Sequence, residues 1–284
     1  MAKKKLIKQQ PFSGKTVLVC GGSKGIGKAT AKEFVRLGGS VGIVARDPAV
    51  LNQAAQEIEA LKVSESQFVE TISCDTTDAG ALKPLFEAFV DKHGVPDVLI
   101  SLVGYAYPEY IQNYTLDDYK KSMDVNFFGK LIPVFILLPY YLEAKQGHIA
   151  FASSALGLGG MIGYATYTPT NFAVVGFAET LRHELKPYNI DISVVFPGDT
   201  DTPGFEIENQ TKPPETHMIA SSSAGLVSPA KVAEIFVEGI LKRKFFIIWG
   251  EVKLLWVVKR LSNWLLFLYL DTFLKSARKK LGKN

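Results

Sequence analysis

The chain has 284 residues, of which 47% are hydrophobic and 21% charged, a length that suits one large domain with an appendage and a composition that excludes wholesale disorder. The formal net charge of +4 is unevenly spread: residues 241–284 hold 11 Lys and Arg against Glu251 and Asp271, a net of +9, which leaves −5 for residues 1–240. A mildly acidic body with a basic tail points the tail at an anionic surface, or else marks a solvated basic helix; nothing in the pattern calls for nucleic acid.

The start, Met1-Ala-Lys-Lys-Lys-Leu6, has a basic cluster with no apolar stretch behind it, so residues 1–13 read as a basic extension and not a secretory signal. Apolar, β-rich runs then alternate with helical patterns, the signature of a parallel sheet built from βαβ units. Strands are expected at Lys15–Cys20, Ser40–Ala45, Phe68–Ser73, Asp97–Ser101, Gly147–Ala152, Ile190–Phe196 and Phe245–Trp249. Helices are expected at Gly25–Leu37, Ala49–Leu61, Leu116–Ala144 (despite Pro133 and Pro139), Tyr167–Lys186 and Pro229–Lys242. The fold class is therefore α/β, a Rossmann-type doubly wound parallel sheet over residues 14–250, with a C-terminal amphipathic tail at 251–284. Residues 199–227, rich in Pro, Thr and Ser, are long enough to form a lid over a substrate. Cys20 and Cys74 sit in apolar strand-like runs and read as reduced core thiols, which suits a cytosolic setting. Four scattered histidines show no ligand spacing, so no metal is expected.

Directly after the first strand, Cys20-Gly-Gly-Ser-Lys-Gly-Ile-Gly27 opens a helix. Glycines allow a tight turn and close approach of a pyrophosphate, and the helix N-terminus supplies N–H donors and a positive dipole end. The second strand ends Val44-Ala45-Arg46, where an NAD-binding chain would carry an acid. Arg46 and Lys24 together favour a 2′-phosphate, and hence NADP(H), unless Arg46 is merely a surface arginine at a strand end.

The spacing Gly21-x-x-x-Gly25-x-Gly27 resembles the short-chain dehydrogenase/reductase family, and the likeness extends over nearly residues 14–250. That resemblance implies a cofactor site of Gly21, Ser23, Lys24, Gly25, Ile26, Gly27 and Arg46, with Asp75 at the adenine end. It adds Gly104, then Tyr167, and Pro197, Gly198, Thr200 and Thr202 around the nicotinamide amide. It also implies a catalytic set: Tyr167 to transfer a proton, Ser154 (13 residues earlier) to hold the substrate oxygen, and Asn126 to support a water chain. The family's lysine, four residues after the tyrosine, is here Asn171, on the same helical face and without charge. A tyrosine's ordinary pKa is about 10, and a nearby cation is what favours the phenolate, so a slower enzyme or a silent NADP(H)-binding protein are both open. Lys130, four residues after Asn126, offers a replacement only if it points inward, and a helical lysine is expected to be solvated. Tyr141-Leu-Glu-Ala-Lys145 repeats the missing spacing by coincidence, ahead of the serine-bearing strand.

Within the family, residues 196–205, 208–216 and 184–189 are similar to 3-ketodihydrosphingosine reductases. This implies NADPH-dependent reduction of a long-chain lipid ketone, 3-ketosphinganine, in sphingolipid synthesis, with another lipid ketone as the alternative. The tail interleaves Trp, Leu, Val, Phe and Tyr with Lys253, Lys259 and Arg260, and no uncharged run approaches the ~20 residues of a spanning helix. It fits a helix lying in a membrane interface, on the cytosolic face (endoplasmic reticulum or bacterial inner membrane), or a helix packing against another subunit. The apolar helix at Leu131–Leu142 hints at a homo-oligomer.

Overall fold

The central aliphatic runs become strands because they are buried on both faces of a parallel sheet, while the two edge strands are partly exposed. The computed structural model describes residues 9–221 and 225–283; most of the predicted basic extension, and residues 222–224 of the predicted lid, lie outside them. The strands are β1 (Thr16–Cys20), β2 (Ser40–Ala45), β3 (Val69–Ser73), β4 (Val98–Ser101), β5 (Gly147–Ala152), β6 (Ile190–Val195) and β7 (Phe246–Ile247). They form one seven-stranded sheet, all parallel, in the order β3-β2-β1-β4-β5-β6-β7. The order reverses between β1 and β4, which opens a crevice at the carboxyl ends of the strands.

Helices cover both faces. On one, Phe34 of α1 (Gly25–Arg36), Leu51 and Ile58 of α2 (Pro48–Glu59) and Phe236 of α9 (Pro229–Leu241) pack on Val17, Val19, Ile43 and Ile100. On the other, Phe86 and Phe89 of α3 (Ala79–His93), Leu137 of α5 (Gly129–Ala144) and Val174 of α6 (Tyr167–Glu184) pack on Leu18, Leu99, Phe151 and Val194. Each fully buried side chain of this size contributes about 1.5–3 kcal/mol, which holds the sheet edge and its loops in place.

Three elements differ from the sequence reading. Helix α3 has no predicted counterpart: Gly80 and Pro84 interrupt its pattern, and burial of Leu82, Phe86 and Phe89, with Asp78 capping the Ala81 N–H, holds it. The expected single helix at 116–144 contains α4 (Leu116–Met123), a π turn (Asp124–Phe128) and α5. Residues 116–144 are long and apolar enough to cross a membrane by composition, but Val134, Leu137 and Tyr141 are fully buried against the sheet, so this face is core. The tail is two helices, α10 (Gly250–Leu261) and α11 (Asn263–Lys280), broken at Ser262, whose hydroxyl accepts from the Leu265 N–H.

The lid segment folds as α7 (Pro203–Asn209) and α8 (Pro214–Ser221), each entered through a proline that presets the first helical φ. The tail packs back on it: Lys283 pairs with Glu215 at 2.9 Å and donates to the Tyr110 hydroxyl at 3.2 Å. Against the burial that raises it, the Tyr110 hydroxyl, which donates to Glu215 at 2.6 Å, and Lys283 bring the Glu215 carboxyl down to about 2.

Candidate active site

The turn after β1 is built for a backbone that carries no side chains. Gly21 has φ +84° and its missing Cβ would meet the Leu102 carbonyl carbon at 3.1 Å; a Cβ on Gly27 would lie 1.9 Å from the Gly21 carbonyl oxygen. Helix α1 then begins with no side-chain cap, since Lys24 at its N-cap accepts nothing, so its first N–H groups are open to an anion. Arg46 at the end of β2 is largely exposed, with its guanidinium 3.6 Å from Asp75. Burial raises the Asp75 carboxyl, but the Thr77 N–H and hydroxyl, with Arg46, bring it below the ordinary range on balance. Gly21, Ser23, Lys24, Gly25, Ile26, Gly27, Arg46 and Asp75 line one cleft of about 1,190 Å³.

The same cleft continues past Gly104 to Ser154, Tyr167, Pro197, Gly198, Thr200 and Thr202. Ser154 stands just beyond β5, and Tyr167 opens α6, its phenol buried. Burial raises that phenol and the Glu208 carboxylate adds to the rise; the side chains of Asn171 and Ser154 pull it back only in part, to about 12. At neutral pH the group is therefore a protonated acid poised against the cleft.

Two members of the predicted set stand behind the wall. Asn126, expected to order water, is carried by the π turn, and both halves of its amide are engaged. Its Oδ1 accepts from the Tyr105 N–H at 2.8 Å, while its Nδ2 donates to the Tyr105 carbonyl at 2.9 Å and to Ser122 Oγ at 3.2 Å. It pins the segment after β4, and Ser122 in turn donates to the Thr166 carbonyl at 3.0 Å, next to Tyr167. Asn171, expected at the ribose, is 2% exposed and donates one turn back to the Tyr167 carbonyl at 3.0 Å.

Lys130 departs furthest from expectation. It is not solvated but 6% exposed and lines the cleft, because the π turn ahead of it rotates α5 and turns this position toward the sheet. The coincidental Tyr141 is fully buried in the core. Also unanticipated is a clasp on the lid: Tyr164 donates to Glu208 at 2.5 Å, and the buried Lys212 pairs with the same carboxylate at 3.0 Å. The recurrence of Tyr, Glu and Lys in two distant segments gave no periodic signal that could have joined them. Leu254, Leu255, Leu266 and Leu270 of the tail also line the cleft and add apolar surface to it.

A family profile described as short chain dehydrogenase matches residues 15–213. The chain is 38% identical over 243 residues to a 3-dehydrosphinganine reductase of Danio rerio, covering 84% of this chain and 73% of that protein. It is likewise 38% identical over 244 residues to a 3-ketodihydrosphingosine reductase of Dictyostelium discoideum, covering 81% and 72%. Among solved structures it superposes on a 3-oxoacyl-[acyl-carrier protein] reductase with bound NAD from Brucella melitensis, with TM-score 0.71, 26% identity and coverage of 83% and 87%.

Proposed function

The chain belongs to the short chain dehydrogenase family, and on that premise we propose that it reduces the 3-keto group of 3-ketosphinganine to sphinganine with NADPH, at a membrane surface. The observation that carries this reading is the match to reductases so named over more than four-fifths of the chain, lid included. The apolar surface that the tail adds to the cleft supports it, since a long acyl chain needs such a surface and a short hydroxy acid does not.

The residues present fit a dinucleotide. The glycine turn leaves room for a pyrophosphate against the uncapped N-terminus of α1; Arg46 and Lys24, which line the same cleft, would meet a 2′-phosphate, and Asp75 would stand at the adenine end. When bound, the reduced nicotinamide supplies the hydride that reaches the carbonyl carbon. Tyr167 gives its proton to the carbonyl oxygen, which Ser154 holds by a hydrogen bond. Because reduction uses the neutral phenol, a pKa raised to about 12 keeps the acid loaded at physiological pH. The lid clasp of Tyr164, Glu208 and Lys212 closes the site to water over the reacting carbonyl.

The cofactor choice rests on Arg46. A charge-assisted hydrogen bond is worth about 1.5–3 kcal/mol, so Arg46→Asp is expected to lower the preference for NADPH over NADH by about tenfold to a hundredfold. Titration of both nucleotides by calorimetry checks this, and an unchanged ratio would remove Arg46 from the 2′ position.

Membrane docking is assigned to the tail. Leu254, Val257, Leu261, Trp264, Leu265, Phe267 and Leu268 are exposed on α10 and α11, among the cations of the basic C-terminal segment. Apolar side chains beside cations suit the headgroup region of an anionic bilayer, and the tail leucines that line the cleft then lie near the source of its substrate. The triple variant Trp264→Ser/Phe267→Ser/Leu268→Ser removes only exposed groups. It is expected to keep its melting temperature and to lose at least about tenfold in cosedimentation with anionic vesicles, at about 1.5–3 kcal/mol per buried side chain. Undiminished vesicle binding would reassign this surface to contact with another subunit.

A further inference from the structure

The helix that carries Tyr167 brings no cation to it, yet a cation enters the same cleft from elsewhere. Lys130 lies in the first turn of α5 and is buried. A Cβ built on Gly104 would lie 3.1 Å from Asn126 Oδ1 and 3.7 Å from Lys130 Nζ, so the ammonium sits beside Asn126 at the wall of the cleft. Asn126 is joined through Ser122 to the Thr166 carbonyl, the residue before Tyr167. The lysine and the tyrosine therefore line one cleft, with the Asn126–Ser122 link running from the segment after Gly104 to the residue before Tyr167.

Among the described residues Lys130 Nζ has no carboxylate and no acceptor; burial alone acts on it and pushes its pKa down to about 7. An unpaired buried ammonium is costly, and the same volume filled by an apolar side chain would be more stable. Groups of this kind concentrate where a fold gives up stability for chemistry. The charges that act on the Tyr167 phenol are the carboxylates of Glu208 and Asp199, and both hold its proton on. Once that proton has gone to substrate, the phenolate left behind faces the carboxylates of Asp199 and Glu208, and Lys212, the cation beside them, is already paired with Glu208.

We propose that Lys130 is the cation that serves Tyr167, from α5 in place of a charge at position 171. The proton balance closes. Tyr167 gives its proton to the ketone oxygen as hydride arrives at carbon. The phenolate regains a proton from the Lys130 ammonium by way of solvent in the cleft, leaving a neutral phenol and a neutral amine, and the amine is recharged from water. An amine that titrates near 7 and a phenol that titrates near 12 make the internal transfer downhill.

This rests on the reductase reading, but two of its three readouts need no substrate. Lys130→Met keeps the volume and removes the charge. The variant is expected to melt no lower than the parent, because a buried unpaired charge has been deleted. With NADP⁺ bound, a nuclear Overhauser contact between the Lys130 side-chain methylenes and the Tyr167 ring, assigned by its loss in Lys130→Met, is expected in the parent. Turnover of ketone is expected to fall about 10²–10⁴-fold, and the added change Asn171→Lys is expected to recover at least tenfold of it. Absence of the Lys130–Tyr167 contact, turnover within threefold of the parent, or a melting temperature well below it would each overturn the assignment and leave a structural lysine. Should the parent fail to reduce ketosphinganine at all, the contact and the melt still decide the role of Lys130.

Discussion

Replacing Tyr167 with phenylalanine is expected to lower turnover about 10²–10⁴-fold while NADPH affinity stays within about threefold. The substitution deletes one oxygen from a buried ring, and the aromatic body still packs beside Tyr164, whose ring centre lies 6.0 Å away. What is lost is the acid. The phenol is held near 12, so the parent's reduction rate is expected to be insensitive to its ionisation through neutral pH. The reverse reaction, which needs the phenolate as base, is expected to speed up as pH rises. Stopped-flow reduction and oxidation across pH 6–10, with nucleotide binding measured separately, check both statements. Retention of near-parental turnover by Tyr167→Phe would move the proton donor to another group.

The second large effect is at Gly27. Its Cβ would stand 1.9 Å from the Gly21 carbonyl oxygen and 2.8 Å from that carbonyl carbon, and neither backbone atom can rotate away as a side-chain tip could. Gly27→Ala must open the turn that faces the pyrophosphate. Loss of at least about a hundredfold in NADPH affinity is expected, with a clear fall in melting temperature. Gly176→Ala is the matched control: it lies within α6, meets nothing within 4 Å, and is expected to be neutral or to stabilise by up to about 1 kcal/mol. Equal binding by the two variants would remove the glycine turn from the nucleotide site.

The parts of this molecule that were legible beforehand are those written in contiguous residues. Seven apolar runs and a glycine turn opening a helix suffice for a parallel sheet with a crevice beside β1, because strand burial and pyrophosphate geometry are both local demands on sequence. The candidate site was legible to the same degree, since Ser154 and Tyr167 lie 13 residues apart and share one wall of the cleft. What escaped depends on contacts between distant segments. Helix α3 survives Pro84 because three of its side chains fill the core. The clasp of Tyr164, Glu208 and Lys212 exists only once the lid has folded over. The direction of Lys130 turns on five residues of π helix, and one extra residue in a helical turn swings everything after it by about 100°. Asn126, inside that turn, is spent on the Tyr105 backbone and does not line the cleft. Asn171, read as a weakened ligand, donates to the Tyr167 carbonyl and acts on the Tyr167 phenol without a charge, which shifts attention to the charge that α5 supplies.

The most direct test of the whole account is NADPH consumption by the intact chain with detergent-dispersed 3-ketosphinganine, with the product identified by mass. One sphinganine formed per NADPH oxidised, at a kcat/KM well above that for sterol, retinoid or simple acyl ketones, is the predicted result. Tight NADPH binding without turnover of 3-ketosphinganine, or equal turnover of all these ketones, would contradict it.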